Sequence, residues 1–232
     1  ISSAASDVYK RQGIERPAIA TLIPCAGGVK RNIILDAGAN VDCHVHHLLQ
    51  FALMGSIYYT SLFGTEKPRV GLLSNGSEES KGNDLVRATA VAIKETPNVN
   101  YIGYVEGRDV PTDVVDVIVC DGFVGNIVLK SMEGCVRLVA DQLRHESKQG
   151  LMRKLSLSLS KGIFKDLFTK QFDYTSYGGA PLLGLRKLGL VLHGSSDARA
   201  VKNAVRVADT FAELKMTEKI GTALSDLDEQ LA

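Results

Sequence analysis

Residues 114–133, VVDVIVCDGFVGNIVLKSME, decide the fold that this sequence predicts. Residues 114–120 form a mostly apolar, β-branched run of strand length, which is typical of a strand buried on both faces of a parallel sheet. Gly122 and Gly125 then permit a tight turn. After the turn, apolar residues recur at helical spacing, namely Val128, Met132, Cys135, Val136, Val139 and Leu143. The stretch therefore predicts a strand, a glycine turn and a helix.

A junction of this kind has two interpretations. In open α/β sheets it is a place where ligands bind, because the helix N-terminus presents free N–H groups and the positive end of its dipole. It can also be an ordinary connection whose glycines serve chain geometry alone. The turn by itself does not separate these alternatives.

A second junction follows the strand predicted at residues 70–74. Residues 75–84, NGSEESKGND, lead into a predicted helix. Lys81 and Gly82 suit a phosphate or carboxylate group, since the lysine supplies positive charge and the glycine lets backbone N–H groups approach. The GxxxxGK[ST] pattern of a Walker A loop is absent. The alternative is a solvated charged loop.

A third junction lies near the C-terminus. Residues 188–193 predict the last buried strand, and Ser195 or Ser196 is the expected N-cap of a helix. The apolar residues of that helix are Ala198, Val201, Val205, Ala208 and Ala212. Three such junctions can converge at one edge of a sheet, so we expect them to form one cleft.

The remaining elements alternate in the same way. Strands are predicted at residues 17–24, 32–35 and 99–105, with a hairpin turn between the first two. Residues 45–63 predict a helix that is buried or contacts a second subunit, because apolar residues surround it. The alternation favours an α/β fold with three α/β/α layers and a mostly parallel sheet. We expect a single domain over residues 13–232.

The first twelve residues do not continue this pattern. They have no strand or helix periodicity, and DVYKRQ resembles the translation of a transposon end. We therefore expect residues 1–12 to be a non-native leader and exclude them from the fold.

The composition narrows the classes of function. Apolar residues make up 45% and charged residues 23% of the chain, as in ordinary globular proteins. A net charge of +1 gives no general attraction to nucleic acid. The four cysteines lack the spacing of a zinc site or a disulfide framework, so a cytoplasmic location is expected. At His44, His46 and His47 we favour solvated side chains over a metal site.

Residues 146–172 are an insertion of different composition. Over residues 144–170 there are seven basic and two acidic side chains. Large apolar residues recur within the insertion, namely Leu151, Leu155, Leu159, Ile163 and Phe164. This pattern is typical of an amphipathic helix that lies on an anionic membrane surface. Contact with a second subunit and docking of an acidic protein are the alternatives.

Several strings along the chain carry a resemblance to a known family. They are LDAGANVDC, HLLQFALMGSIY, PRVGLL, EESKGND, YIGYVEGRDVP, VCDGFVGNIVLKSMEG, YGGAPLLG and HGSSDARAVKNAVRVA. In this order they resemble the bacterial phosphate acyltransferase of phospholipid synthesis (PlsX-type), over residues 13–215. The resemblance implies a fold similar to the isopropylmalate dehydrogenases and phosphotransacetylases, and a homodimer. It also implies that the N-terminal part of the family's chain is missing here.

The same resemblance implies a reaction. Acyl-[acyl-carrier-protein] and inorganic phosphate would give acyl phosphate and free carrier, with peripheral membrane association and no cofactor or metal. Phosphate is already a nucleophile, which agrees with the absence of a GxSxG motif. One departure is LSNGSEES, where the family more usually has a form like LNIGTEE, so the contacts expected of Ser74 and Asn75 do not carry over.

Within this chemistry, Lys81 and Asn126 are the predicted catalytic residues. Lys81 would supply charge to the phosphate or oxyanion, and Asn126 would orient the carbonyl or phosphate. The predicted substrate-binding residues are Gly82, Asn83, Asp121, Gly122, Gly125, His193 and Ser195. Glycine at 82, 122 and 125 would let backbone amides approach the substrate.

Three other functions stay open. A phosphotransacetylase-like enzyme would use acyl-CoA instead of acyl carrier protein. A nicotinamide-dependent decarboxylating dehydrogenase needs a cluster of acidic metal ligands, and no DxxxD pattern of that kind stands out. The third is a truncated chain that dimerises or binds membrane without turnover.

Overall fold

Eight strands form two sheets in the computed structural model, which describes residues 13–28, 30–146, 148, 150, 162, 179–192 and 196–231. The strands are β1 (Ala18–Ile19), β2 (Thr21–Pro24), β3 (Arg31–Leu35), β4 (Arg69–Leu73), β5 (Asn100–Val105), β6 (Val117–Val119), β7 (Ala180–Leu183) and β8 (Gly189–Val191). The larger sheet has the spatial order β2-β3-β6-β4-β5, and the smaller has the order β1-β7-β8.

The larger sheet is mostly parallel. Strands β3, β6, β4 and β5 run in one direction, and β2 forms an antiparallel hairpin with β3. The β6 residues Val117–Val119 are at most 1% exposed, so the apolar run is buried on both faces as predicted. Val119 pairs with Leu35 on one side and with Leu72 on the other. The carboxyl ends of β3, β6 and β4 therefore lie at the same edge.

Helices cover both faces of this sheet, which confirms the expected α/β fold with a mostly parallel sheet. They are α1 (Val45–Phe63), α2 (Asp84–Lys94), α3 (Gly122–Glu146), α4 (Ala198–Glu213) and α5 (Met216–Leu231). Side chains from α1, α2 and α5 share one buried cluster with Leu72 of β4. Val128 and Met132 of α3 pack against a second cluster that contains Ile34 and Ile118.

Helix α1 has the bounds that the sequence predicts. Its side chains are buried over most of its length, in agreement with an apolar pattern that continues around the helix. It ends at Gly64, which has φ +71° and donates its N–H to the carbonyl of Thr60 at 2.8 Å. Glycine takes this left-handed conformation without a steric penalty, and so stops the helix at a defined residue.

Two predicted strands differ from the structure. The strand expected at residues 114–120 spans only β6, and Val114 is 49% exposed. The strand expected at residues 17–24 is divided at Ala20, whose N–H donates to the carbonyl of Pro181 at 3.0 Å. This bond continues the β1–β7 pairing by one residue, and from Thr21 the chain pairs with β3 of the large sheet instead. The change of partner is a tertiary effect that no local pattern indicates.

The third predicted junction also differs. Strand β8 is half-buried and pairs antiparallel with β7, so it does not end at the edge of the large sheet. The N-cap of α4 is Asp197, whose carboxylate accepts from the N–H of Ala200 at 2.8 Å, and not Ser195 or Ser196. The third junction therefore does not follow a strand of the large sheet, and residues 193–195 lie outside the described residues. Leu192 and Ser196 on either side of them line a groove together with Asn126, and the cleft expected from three junctions stays a prediction.

Parts of the long helices stay exposed. In α4 the buried residues are Ala200, Ala204 and Phe211, while Val201 and Val205 of the predicted apolar face are 52% and 65% exposed. In α3, Cys135 is also exposed. Among the described residues, no helix combines the length and the apolar character that crossing a bilayer requires.

Candidate active site

The carboxyl-end edge of the large sheet gathers three loops. Residues 36–44 follow β3, Asp121 and α3 follow β6, and residues 74–83 follow β4. Neighbouring strands are about 4.8 Å apart, so these loops start side by side. The edge thus carries two of the predicted junctions, together with a segment that the sequence predicts only as a loop with turn residues.

Asp36 organises the first of these loops. Its carboxylate is fully buried and accepts hydrogen bonds at Oδ1 from the N–H groups of Ile19 at 2.9 Å, Gly38 at 3.1 Å and Ala39 at 3.1 Å. Oδ2 accepts from the backbone N–H of Asn40 at 2.7 Å and from its side-chain amide at 2.8 Å. Five N–H donors satisfy both oxygens, which a buried carboxylate requires.

Gly122 and Gly125 let the first turn of α3 pack directly on this loop. A Cβ on Gly125 would lie 1.9 Å from the carbonyl oxygen of Asp36, and one on Gly122 would lie 2.7 Å from that of Asn40. The N–H of Gly122 donates to the Asn40 carbonyl at 2.7 Å, and that of Gly125 donates to the Asp121 carbonyl at 3.0 Å. Both amides already have backbone acceptors, so packing is the role that the structure assigns to these glycines. Their contact with substrate stays a prediction.

Asp121 and Asn126 flank this first turn. The Asp121 carboxylate accepts from the N–H of Val124 at 2.8 Å, which is the geometry of a helix cap. Asn126 is exposed, and its Cβ lies 3.5 Å from the position that a Cβ on Gly38 would take. No hydrogen-bond partner for the Asn126 amide is found in the described part of the chain, so this donor can turn to a ligand.

Lys81 is the candidate cation of the loop after β4. The side chain is exposed, and its ammonium group has no ion pair among the residues that the structure describes. Its backbone N–H donates to the carbonyl of Glu78 at 2.9 Å. A Cβ on buried Gly76 would lie 2.7 Å from the Lys81 Cγ, so the loop backbone runs close beneath the lysine stem.

The neighbouring residues hold this loop in shape. Asn75 accepts the N–H of Gly82 at 2.9 Å through its side-chain oxygen, and Gly82 has φ +86°. Asn83 is the N-cap of α2 and accepts from the N–H of Val86 at 2.9 Å. The geometry gives Asn75 and Asn83 structural roles, and a substrate contact of Gly82 or Asn83 stays a prediction.

A groove of about 580 Å³ runs along α3 from Asn126. Its lining is mostly apolar and comes from the segment 19–24, from β7 and β8, and from α4. The α3 residues in it include Leu129, Met132, Val136 and Ala140. Lys81 does not line this groove. From Asn126 to Ala140 the helix rises about 21 Å, which is long enough for an extended apolar ligand.

Other predicted site residues lie outside the described residues. These are His193 and Ser195, and the membrane-contact set Leu151, Leu155, Leu159, Ile163 and Phe164. The histidines at the start of α1 are only partly solvated. His47 is buried and pairs with Glu15 at 2.9 Å, and burial lowers its pKa although the carboxylate opposes this. No cluster of three metal-ligating side chains occurs among the described residues.

The opposite edge of the sheet carries an ion-pair network. Asp116 is 3% exposed and accepts from Lys30 Nζ at 2.8 Å and from Arg69 Nε at 3.0 Å. Burial alone would raise the pKa of Asp116, but the hydrogen bonds from these two cations and from the Arg69 backbone lower it to about 2. The network joins the amino ends of β3, β4 and β6 and serves the fold.

Sequence reasoning misses Asp36, Asn40 and Asn75 as organisers of the site. An acidic residue directly after the buried run of β3 is a usable signal, because a carboxylate at such a position needs N–H donors from its own loop. No comparable signal marks Asn75.

These features define an α/β protein with a polar strand-end site beside an apolar groove. The comparisons with known proteins bear on the fold and on the family. A protein-family profile described as "Fatty acid synthesis protein" matches residues 1–219. The chain therefore belongs to this family. The match includes the residues expected to be a leader, and the division into leader and domain stays a prediction.

Individual relatives in this family show a more specific similarity in sequence. The phosphate acyltransferase of Geotalea uraniireducens is 48% identical over 225 residues, which are 97% of this chain and 64% of the relative. That of Geotalea daltonii is 50% identical over 211 residues, which are 90% of this chain and 60% of the relative. The chain therefore spans less than two thirds of the length of these relatives.

Solved structures agree on the fold alone. A phosphotransacetylase from Streptococcus pyogenes has a TM-score of 0.53 and 16% identity, covering 88% of this chain and 56% of its own. A branched-chain phosphotransacylase from Enterococcus faecalis V583 has a TM-score of 0.50 and 14% identity, covering 84% and 64%. The phosphotransacetylase-like architecture expected from the sequence is thereby confirmed.

Proposed function

We propose that the complete protein is a phosphate acyltransferase, which forms acyl phosphate from acyl-[acyl-carrier-protein] and inorganic phosphate in phospholipid synthesis. The names of its relatives support the reaction class. The observation that carries the proposal is the placement of Lys81 and Asn126 after the neighbouring strands β4 and β6, at one edge of the sheet. Both polar groups are exposed and lack protein partners among the described residues.

The reaction needs no side-chain nucleophile. A phosphate oxygen attacks the thioester carbonyl carbon, the new C–O bond forms as the C–S bond breaks, and the carrier leaves as a thiol after taking up a proton. The enzyme has to hold phosphate near the carbonyl and stabilise the negative oxygen of the intermediate. Lys81 supplies positive charge for the phosphate, and the Asn126 amide supplies a hydrogen bond to the carbonyl oxygen.

The groove along α3 suits the acyl chain. It begins at the polar donor Asn126 and continues along the apolar residues of the same helix. A fatty acyl thioester has the matching order, with a reactive polar end followed by an apolar tail. Burying each methylene contributes about 0.8 kcal/mol, so a groove of this kind holds a long chain without specific polar contacts.

Carrier protein, a homodimer and the membrane surface complete the proposal. They come from the family resemblance and, for the membrane, from the basic and apolar pattern of residues 146–172. The protein would then be cytoplasmic and peripherally membrane-associated. Replacing Leu155 and Leu159 with Glu should release it from anionic vesicles, and unchanged pelleting would contradict the membrane contact.

The decisive experiment is a phosphate-dependent thioester-cleavage assay. It compares acyl carrier protein and CoA as thioester donors, for this chain and for a version extended to the length of its relatives. Faster acyl-phosphate formation from the carrier-bound donor by the extended version supports the proposal. Preference for acyl-CoA would identify a phosphotransacetylase-like enzyme. No cleavage of either donor would contradict the proposal, and activity of the extended version alone would identify this chain as an inactive fragment.

A further inference from the structure

The Asp36 carboxylate connects three parts of the candidate site. Its five N–H donors come from the strand β1 and from the loop that follows β3. The side-chain amide of Asn40 also donates to the carbonyl of Pro17 at 2.8 Å. The carboxylate thereby fixes residues 36–40 to the segment that leads into the groove wall.

This loop in turn sets the start of α3. The Asn40 carbonyl accepts the N–H of Gly122, and the Asp36 carbonyl lies against the Cα of Gly125 with no room for a side chain. Gly38 faces the side chain of Asn126, with 3.5 Å between the Asn126 Cβ and an ideal Cβ at Gly38. Any shift of residues 36–40 therefore changes the position of the helix turn that carries Asn126.

We propose that Asp36 is a positioning residue that holds Asn126 in its working orientation. It does not touch substrate, and it acts through the 36–40 loop and the first turn of α3. The activity measurements below rest on the proposed acyl transfer, whereas the exchange measurement does not.

The chemistry of the carboxylate explains why an amide cannot replace it. Asp36 receives donors on both oxygens, whereas an asparagine offers one acceptor oxygen and an NH2 group. In Asp36→Asn, at least two of the N–H groups would face another donor, and the loop would have to rearrange. The pairing of β3, β4 and β6 uses backbone groups only, so the large sheet stays paired and the disturbance falls on residues 36–40 and on Ile19 of β1.

The test is a double-mutant cycle in the version extended to the length of its relatives. Asp36→Asn should lower kcat about tenfold to a hundredfold, as small misplacements of reacting groups do, while KM for phosphate changes by less than about threefold. In the Asn126→Ala background, Asp36→Asn should cause no further loss, because the group through which it acts is gone. Asp116→Asn is the matched control: a buried acid at the opposite edge, whose replacement should leave kcat unchanged in the folded protein.

Equal losses from Asp36→Asn in both backgrounds would overturn the proposal, since a merely structural role gives additive effects. A measurement without turnover separates this outcome from failure of the proposed function. Amide hydrogen exchange at residues 122–126 should be faster in Asp36→Asn than in Asp116→Asn at equal overall stability. If the wild type cleaves no thioester, the proposed function fails, and the exchange measurement alone decides whether Asp36 positions Asn126. Unchanged exchange at residues 122–126 in Asp36→Asn would overturn the positioning role.

Discussion

Two buried aspartates lie at opposite edges of the large sheet, and their partners differ in kind. Asp36, at the carboxyl edge, receives only neutral N–H donors, and no lysine or arginine among the described residues pairs with it. Asp116, at the amino edge, receives two cations. The amino edge thus uses its cations to hold the fold, whereas the carboxyl edge leaves Lys81 available for a ligand. Substitutions at the two edges should therefore affect different properties of the protein.

The largest effect is expected on activity at the carboxyl edge. In the extended version, Lys81→Ala or Asn126→Ala should lower turnover at least about a hundredfold, because removing one donor to a transition-state oxyanion costs about 2.7–4 kcal/mol. Stability should stay unchanged, since both side chains are exposed. Lys67→Ala, at an exposed lysine just before β4 and therefore at the opposite edge of the sheet, is the control. Near-normal turnover in both site variants would remove them from the mechanism.

The second largest effect is expected on stability, at the close contact between residues 36–40 and α3. Gly125→Ala places a methyl group against the Asp36 carbonyl and should lower the free energy of unfolding by about 1–3 kcal/mol. Gly134→Ala on the same helix meets nothing within 4 Å and should raise it by about 0.5–1 kcal/mol through helix propensity. Urea unfolding of this chain measures both. Equal stability of the two variants would show that the contact is not tight.

A substitution of Asp116 at the amino edge should change how the free energy of unfolding depends on pH, and it should leave turnover unchanged. The folded pKa of Asp116 is about 2, below its ordinary value of 3.8. Folding therefore stabilises the ionised form, and this contribution is complete well above the ordinary pKa and is lost as the pH falls through the folded pKa. Asp116→Asn should lower the free energy of unfolding by about 2 kcal/mol at pH 7, and most of this difference should be gone near pH 2.

A control separates this pairing from general acid sensitivity. Asp113 contacts the same two cations but is exposed. Asp113→Asn should therefore change the pH dependence of the free energy of unfolding less than Asp116→Asn does. A difference between wild type and Asp116→Asn that persists undiminished at pH 2 would contradict the assignment. Unfolding curves recorded between pH 2 and 7 give the answer.

The smallest effect concerns the groove that opens at the carboxyl edge. Ala140→Phe should narrow its far end and lower kcat/KM about tenfold for long acyl donors, while short donors react normally, because a few contacts in an apolar pocket discriminate by about 1–3 kcal/mol. Leu138→Phe, at a position of α3 that is 67% exposed, is the control. Equal losses for both chain lengths would place the acyl chain elsewhere.

Local pattern suffices for the elements whose environment is uniform. Helix α1 is apolar all round and β6 is apolar throughout, so burial on every side follows from sequence alone. The cap of α4 is harder to place, because Ser195, Ser196 and Asp197 are adjacent and all of them suit an N-cap. The type of residue identifies such a boundary, but tertiary contacts select its position.

The candidate site also has features that local pattern predicts and features that depend on tertiary contacts. The glycines and polar residues around Lys81 and Asn126 indicate both junctions from local pattern alone. The role of Asp36 depends on the N–H of Ile19, which reaches it only after β1 and β3 are in place. The groove has walls from Ile19 to Val207, which are far apart in the chain, so no sequence window could indicate it.

The distribution of thiols has a practical consequence. Cys25 and Cys120 are buried, and burial raises the pKa of Cys43 to about 12. Cys135 alone of the four is exposed, and it lies on the helix that carries Asn126. A maleimide dye should therefore label the unaltered chain at one place, and its fluorescence would report on ligands that enter beside that helix.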